Sequence, residues 1–240
     1  MAQLISFATS VGIQQRVMHY HPRPVLGYVK DDKYYDIQPQ SLLTAGEMAK
    51  AIGADALIFS IPSLIAFPDK EMMEIQRKVG IAFGIIGGTD QDATEVFFWG
   101  GKTPISPIIG RQFIHGIWDC YSLVKDTFAL GKNALREQEL TDWPYDSIKL
   151  PEVPRDDAWW DKGANLYIDW LKPAGFIEIK KEEARAGDGF LMPIRSTVMN
   201  HAGLVVSDNE ILHHLPTRLS RRENAGMWRY QAEMWVRYVG

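Results

Sequence analysis

Apolar and polar positions alternate in short runs along most of this chain and recur at helical spacing in a few stretches. Two β-like runs, Val25 to Val29 and Tyr34 to Ile37, flank the polar Lys30-Asp31-Asp32-Lys33, which predicts a hairpin. Ser41 to Ile52 has helical spacing, and Ala56 to Ile61 reads as an apolar strand. A second helix is predicted from Asp69 to Val79, with further strands at Ile81 to Ile86 and Thr94 to Trp99. Strands and helices that alternate in this way predict a small α/β unit. The last of these runs closes on Gly100-Gly101-Lys102-Thr103-Pro104, which sets a domain boundary near residue 104 and divides the chain into 1–104 and 105–240.

The second segment has a different order. A helix is predicted from Cys120 to about Leu130, with Tyr121, Val124 and Phe128 on one face. The polar, proline-bearing stretch from Asp142 to Asp157 predicts a surface loop, and a short helix from Asn165 to Lys172 stops before Pro173 and Gly175. Strands follow at Phe176 to Lys180, Gly189 to Ile194, His201 to Val206 and Ile211 to Leu215. A helix followed by a small antiparallel sheet is an α+β plan.

Composition narrows the functions open to such a fold. The formal net charge is -4 with a pI near 5.9, and Lys and Arg are scattered, so no general attraction to nucleic acid or an anionic membrane surface is expected. The longest apolar stretch, Ala56 to Phe67, holds a proline and falls short of the roughly 20 residues a spanning helix needs, so no membrane segment is expected. One cysteine cannot form an internal disulfide, and the first residues lack a signal peptide's basic start and cleavage site, which predicts synthesis in the cytoplasm.

That cysteine carries the candidate chemistry. Asp119 is a good N-cap residue, so Cys120 falls in the first helical turn, where unpaired backbone N–H groups and the helix dipole favour a thiolate. Its own amide is placed to donate to an oxyanion. The alternative is a buried core thiol, the commoner fate of a free cysteine. His201 opens an apolar run, and a buried histidine there needs a polar partner. The partner depends on the parity of the connection at Ser207-Asp208-Asn209-Glu210. An odd connection centred on Asp208 sets His213 opposite Gly203, on the face of His201, whereas an even one turns His214 inward; the residues alone leave both open.

Trp159, Trp160, Tyr167 and Trp170 either line a groove or pack in the core, and the helical spacing of Trp170 from Leu166 predicts core. Arg218 to Glu223 reads as a solvated face or a contact with a neighbouring protein. His19-Tyr20-His21-Pro22 reads as extended chain with surface or hydrogen-bonded histidines rather than metal ligands.

Residues 105 to 240 resemble the NlpC-type cell-wall cysteine peptidases, and most closely the phage-tail subset of that family. The matching clusters occur in order: Gly110-Arg111, His115-Gly116, Asp119-Cys120-Tyr121, Trp159-Trp160, Asn165-Leu166-Tyr167, Gly187-Asp188, Asn200-His201-Ala202-Gly203, Ile211-Leu212-His213-His214-Leu215 and Arg218-Leu219-Ser220. The resemblance implies a papain-like fold, with Cys120 as nucleophile, His201 as base and His213 as the orienting group. Bacterial members usually carry Asp-Cys-Ser-Gly where this chain has Asp-Cys-Tyr-Ser, a variant the phage subset shares. The family's upstream tyrosine has no counterpart, which leaves His115 as the candidate side-chain donor to the oxyanion. The implied activity is cleavage of peptidoglycan stem-peptide amides during genome entry, without a cofactor, by a virion protein of the tail tip that contacts other tail-tip proteins. The alternatives are an assembly or plug protein with an idle site, and an acyltransferase or non-peptide amidase, which requires a deep apolar pocket.

The first segment resembles JAMM zinc peptidases in spacing, in the proline at Pro62 and in the helix that follows. Phe59-Ser60-Ile61, seven residues and Asp69-Lys70-Glu71-Met72 fit the His-x-His and Ser-x-x-Asp frame, with Phe59, Ile61 and Met72 standing where ligands belong. That resemblance implies a degenerate domain without a metal site, kept for assembly.

Overall fold

The computed structural model describes residues 4–38, 40–153, 155 and 158–240, which form two compact units, Met1–Pro104 and Ile105–Gly240. No described helix is long and apolar enough to cross a membrane.

The first unit begins with a helix, α1 (Phe7–Tyr20), that the strand-like reading of its end did not anticipate. Ser6 caps it by accepting from the Thr9 amide, and Ile13 and Val17 bury one side, so His19 and Tyr20 finish a helix and His21 caps it. The predicted hairpin follows as β1 (Leu26–Lys30) and β2 (Lys33–Asp36). Asp31 and Asp32 both take positive φ, 50° and 56°, as a two-residue hairpin turn of matching twist requires. Then come α2 (Leu42–Ala51), β3 (Ala56–Ile61), α3 (Lys70–Val79), β4 (Ala82–Gly87) and a short β5 (Phe97–Trp99). Sheet order is β2-β1-β3-β4-β5, with β3 and β4 parallel and the other pairs antiparallel, so the α/β alternation yields a mixed sheet.

At the positions of the JAMM-like frame, Phe59 is buried edge-on against Trp99, with ring centroids 6.1 Å apart. Ser60 Oγ accepts the Val25 amide at 2.7 Å, and Asp69 caps α3 by accepting from the Met72 amide. These groups serve packing and capping. Among the described residues no cluster of three or more His, Cys, Asp or Glu is arranged to hold a metal ion.

The second unit is α+β. Helix α4 (Cys120–Arg136) runs past the predicted end but breaks at Gly131, whose φ of 67° and ψ of 172° leave the helical region. A Cβ there would sit 2.4 Å from the Ser147 amide nitrogen, so glycine lets the following loop close against the helix. That loop is not the surface segment its polarity suggests: Trp143, Leu150 and Val153 are buried, with Trp143 edge-on to Phe128 at 5.0 Å. Residues 154, 156 and 157 of the stretch lie outside the described residues.

Helix α5 (Leu166–Leu171) leads into six strands, β6 (Phe176–Ile179), β7 (Gly189–Met192), β8 (His201–Ser207), β9 (Glu210–His213), β10 (Arg221–Asn224) and β11 (Met234–Tyr238), with α6 (Ala225–Gln231) before the last. They form one antiparallel sheet in the order β10-β9-β8-β7-β11-β6. The sequence pattern missed β10, α6 and β11. Strand β10 is the polar Arg-Arg-Glu-Asn at a sheet edge, where no apolar alternation is required, and β11 enters the middle of the sheet only because the chain returns there after α6.

The core between helix and sheet gathers Leu123, Phe128, Leu135, Leu191, Leu204 and Leu212. Buried Arg111 joins the segment before α4 to the rest: its guanidinium meets Asp126 at 2.6 Å, and its amide donates to Ser220 Oγ at 2.8 Å. The Gly110-Arg111 and Arg218-Leu219-Ser220 clusters are thereby one contact.

Candidate active site

Cys120 opens α4, and Asp119 is its N-cap, accepting from the Ser122 amide at 2.9 Å and from the Gly116 amide at 2.9 Å. Asp119 is 2% exposed and would be costly to bury alone. Arg155 compensates with a two-pronged contact, Nε to Oδ2 at 2.8 Å and Nη2 to Oδ1 at 2.7 Å, and its remaining donors go to Ser122 Oγ and the Val153 carbonyl. Burial pushes the Asp119 carboxyl up, but the charge and hydrogen bonds of Arg155 outweigh it and hold the carboxyl well below the usual range.

Burial and the Asp119 charge push the Cys120 thiol above its ordinary value. Working the other way is Tyr167 of α5, whose hydroxyl lies 3.1 Å from Cys120 Sγ. Tyr167 is itself held protonated, because burial and then the neighbouring Cys120 raise it well above an ordinary phenol. The carbonyl of Asn200, the residue before β8, lies 3.8 Å from the sulfur.

His201 opens β8 and His213 ends β9. Gly203 pairs with His213, and the two imidazoles meet diagonally, His201 Nε2 lying 3.3 Å from His213 Nδ1. A Cβ at Gly203 would come within 2.4 Å of the Phe190 ring and 3.0 Å of His213 Cβ, so only glycine admits this approach. The pairing runs Val205 with Ile211 and then Ser207 with Glu210, which leaves Val206 as an extra residue in a β-bulge beside a two-residue turn.

Burial and the neighbouring histidines lower His201 to about 3, and burial lowers His213 to about 4 against the pull of Glu223. With the thiol raised and both imidazoles lowered, the resting site holds a neutral thiol and neutral imidazoles near pH 7.

Behind His213 stands Glu223 of β10, its Oε2 3.3 Å from His213 Nε2. This contact falls short of a regular hydrogen bond, so the pull of Glu223 on His213 is mainly electrostatic. Glu223 also accepts from Trp228 Nε1 at 2.8 Å and pairs with Arg218 at 2.8 Å and with Arg221. The Trp228 indole packs edge-on against His213, with ring centroids 4.1 Å apart.

A cleft of about 420 Å³ runs past these groups, lined by Cys120, His201 and Tyr167 together with His115 and His214. Its wall is mostly apolar, built by Trp160, Leu166, Trp170, Ala174 and Ile194 among others, and the guanidinium of Arg155 in its lining is already engaged by Asp119. Trp170 therefore lines the cleft, contrary to the core placement its spacing predicted, and Trp159 is the buried member of the aromatic set. His115 faces Trp160 with ring centroids 6.3 Å apart. His214 is fully buried against Phe113, and among the described residues neither ring nitrogen has a regular hydrogen-bond partner.

The sequence names Tyr167 without a role at the sulfur, gives Glu223 only as the end of a solvated or protein-contact stretch, and offers no sign of Arg155. Tyr167 reaches the thiol only through the return of α5. The one available signal for Glu223 was its two-residue offset from Arg221, which keeps both on one strand face, but β10 itself was not legible.

The chain is 34% identical over 134 residues to tail tip assembly protein K of Escherichia phage lambda, covering 52% of this chain and 60% of that protein. It is 30% identical over 135 residues to tail tip assembly protein K of Escherichia phage N15, covering 55% of this chain and 49% of that protein. The chain thus spans only about half the length of these relatives. Residues 94–237, more than half of the chain, match the NlpC/P60 family, and the chain belongs to that family.

Proposed function

We propose that the second unit is a tail-tip cysteine endopeptidase that cleaves amide bonds in the peptide stem of peptidoglycan, with Cys120 as nucleophile, His201 as base and His213 as the group that orients it. The observation that carries this reading is the 3.3 Å contact between His201 Nε2 and His213 Nδ1, with His201 lining a cleft it shares with the thiol at the start of α4. Membership of the NlpC/P60 family and similarity to phage tail tip proteins supply the setting.

Because the pair starts neutral, proton transfer accompanies attack. As the Cys120 sulfur bonds to the amide carbon, its proton passes to His201, while the Cys120 amide at the N-terminus of α4 donates to the carbonyl oxygen as it becomes negative. The C–N bond then breaks, and His201 returns the proton to the leaving amine. Water attacks the thioester, its proton passing through His201, and the acid and free thiol leave. Tyr167, uncharged throughout, donates to the sulfur while it is anionic. The first unit is an assembly domain without a metal site in this reading.

Digestion of purified peptidoglycan by the wild-type chain and by Cys120→Ala, with fragments identified by mass, tests the proposal. Cysteine-dependent release of stem peptides supports it. No release, from the free chain or from assembled tails, leaves the structural reading, which the relatives' name as tail tip assembly proteins favours. The apolar cleft wall favours a further variant, an amidase that accepts an apolar acyl group; N-acyl peptides cleaved faster than stem peptides would select it.

A further inference from the structure

We propose that Glu223 is a positioning residue that sets the tautomers of both site histidines, extending the Cys120, His201 and His213 assignment, on which it rests, by a fourth member. An ionised carboxylate only accepts, so a neutral imidazole nitrogen facing it carries the proton. Glu223 Oε2 faces His213 Nε2 at 3.3 Å, which places the His213 proton on Nε2 and leaves Nδ1 as a lone pair. That lone pair faces His201 Nε2 at 3.3 Å, so His201 donates from Nε2 and its own Nδ1 is left free to take a proton. Without the carboxylate, His213 could present an N–H from Nδ1, and His201 would turn its lone pair inward with its base nitrogen protonated.

The surroundings of Glu223 keep it ionised and still. Arg218 and Arg221 meet one oxygen, Trp228 Nε1 donates to the other, and the side chain is 17% exposed. Its strand explains the placement: Arg221 pairs with His213, and Glu223, two residues along the same face, leans back diagonally to it. Trp228 both donates to Glu223 and packs edge-on against the His213 ring, so a single side chain bounds carboxylate and imidazole together.

The test is the ring-nitrogen tautomer of each histidine, read by 15N-edited NMR of histidine-labelled full-length chain, with stem-peptide hydrolysis measured in parallel. In the wild type, His201 and His213 are expected to carry their protons on Nε2. Glu223→Ala should let His213 populate the Nδ1-H form and lower kcat by about tenfold to a hundredfold with little change in KM, the usual range for loss of an orienting partner. Glu223→Gln, whose amide oxygen can still accept, should restore most of the wild-type tautomer. Arg218→Ala, which touches Glu223 but neither histidine, should leave both tautomers as they are. A wild-type His213 protonated on Nδ1 overturns the proposal even if Glu223→Ala fails to fold, and so does a folded Glu223→Ala with unchanged tautomers. A wild-type chain with the expected tautomers and no hydrolase activity supports the role of Glu223 and counts against the peptidase reading.

Discussion

Gly203 and His213 face each other across β8 and β9 because a bulge at Val206 adds one residue to a two-residue turn; without it, the same turn would pair Gly203 with His214. The bulge therefore selects which of two adjacent histidines meets His201. His213→Ala is expected to lower hydrolysis by about a hundredfold or more, the scale at which loss of an orienting group is felt. His214→Ala should cost less, since His214 lines the cleft without touching His201 through a hydrogen bond. Rates of the two variants on one substrate check the order.

Cys120 is predicted to behave as a suppressed thiol. Burial and Asp119 raise it, so its alkylation by iodoacetamide should keep rising through pH 9 instead of levelling near neutrality, as a preformed thiolate–imidazolium pair would. Tyr167→Phe removes a hydrogen bond that favours the anion, displacing the alkylation profile to still higher pH. A bond to a charged group contributes about 1.5–3 kcal/mol, so hydrolysis should also fall by roughly tenfold or more.

Arg155→Met should destabilise the second unit by about 3–5 kcal/mol, because it leaves the Asp119 carboxylate buried and unpaired at the start of α4. Asp119→Asn combined with Arg155→Met should recover part of that loss, since the buried charge is then gone. Urea unfolding of the four chains measures the coupling.

Acid should weaken the second unit before most carboxylates titrate. His201, His213 and His214 fall from 6.5 to about 3, 4 and 4, so the unfolded chain takes up protons that the folded one refuses. Their contribution is complete above pH 6.5 and is lost as pH drops toward 4. Unfolding free energy measured across that window should decline, and His214→Gln should flatten the slope.

Most helices and strands could be read from the chain, because apolar spacing and caps such as Ser41, Asp69 and Asp119 act locally. The loop after α4 was misread as surface because Trp143 and Leu150 are apolar exceptions in a polar stretch that a broken helix then covers. Trp170 was misread as core because helical spacing reports a shared face without saying what that face meets.

By itself the sequence determined that Cys120 stands at a capped helix N-terminus, that His201 begins a buried strand and that His213 and His214 follow on the next, since each depends on neighbours within a turn or two. Only the tertiary structure decided that His213 meets His201, that Tyr167 reaches the sulfur and that Glu223 stands behind the imidazole pair. Those contacts depend on a bulge that resets strand parity and on long-range returns of α5 and β10, and no local spacing encodes either.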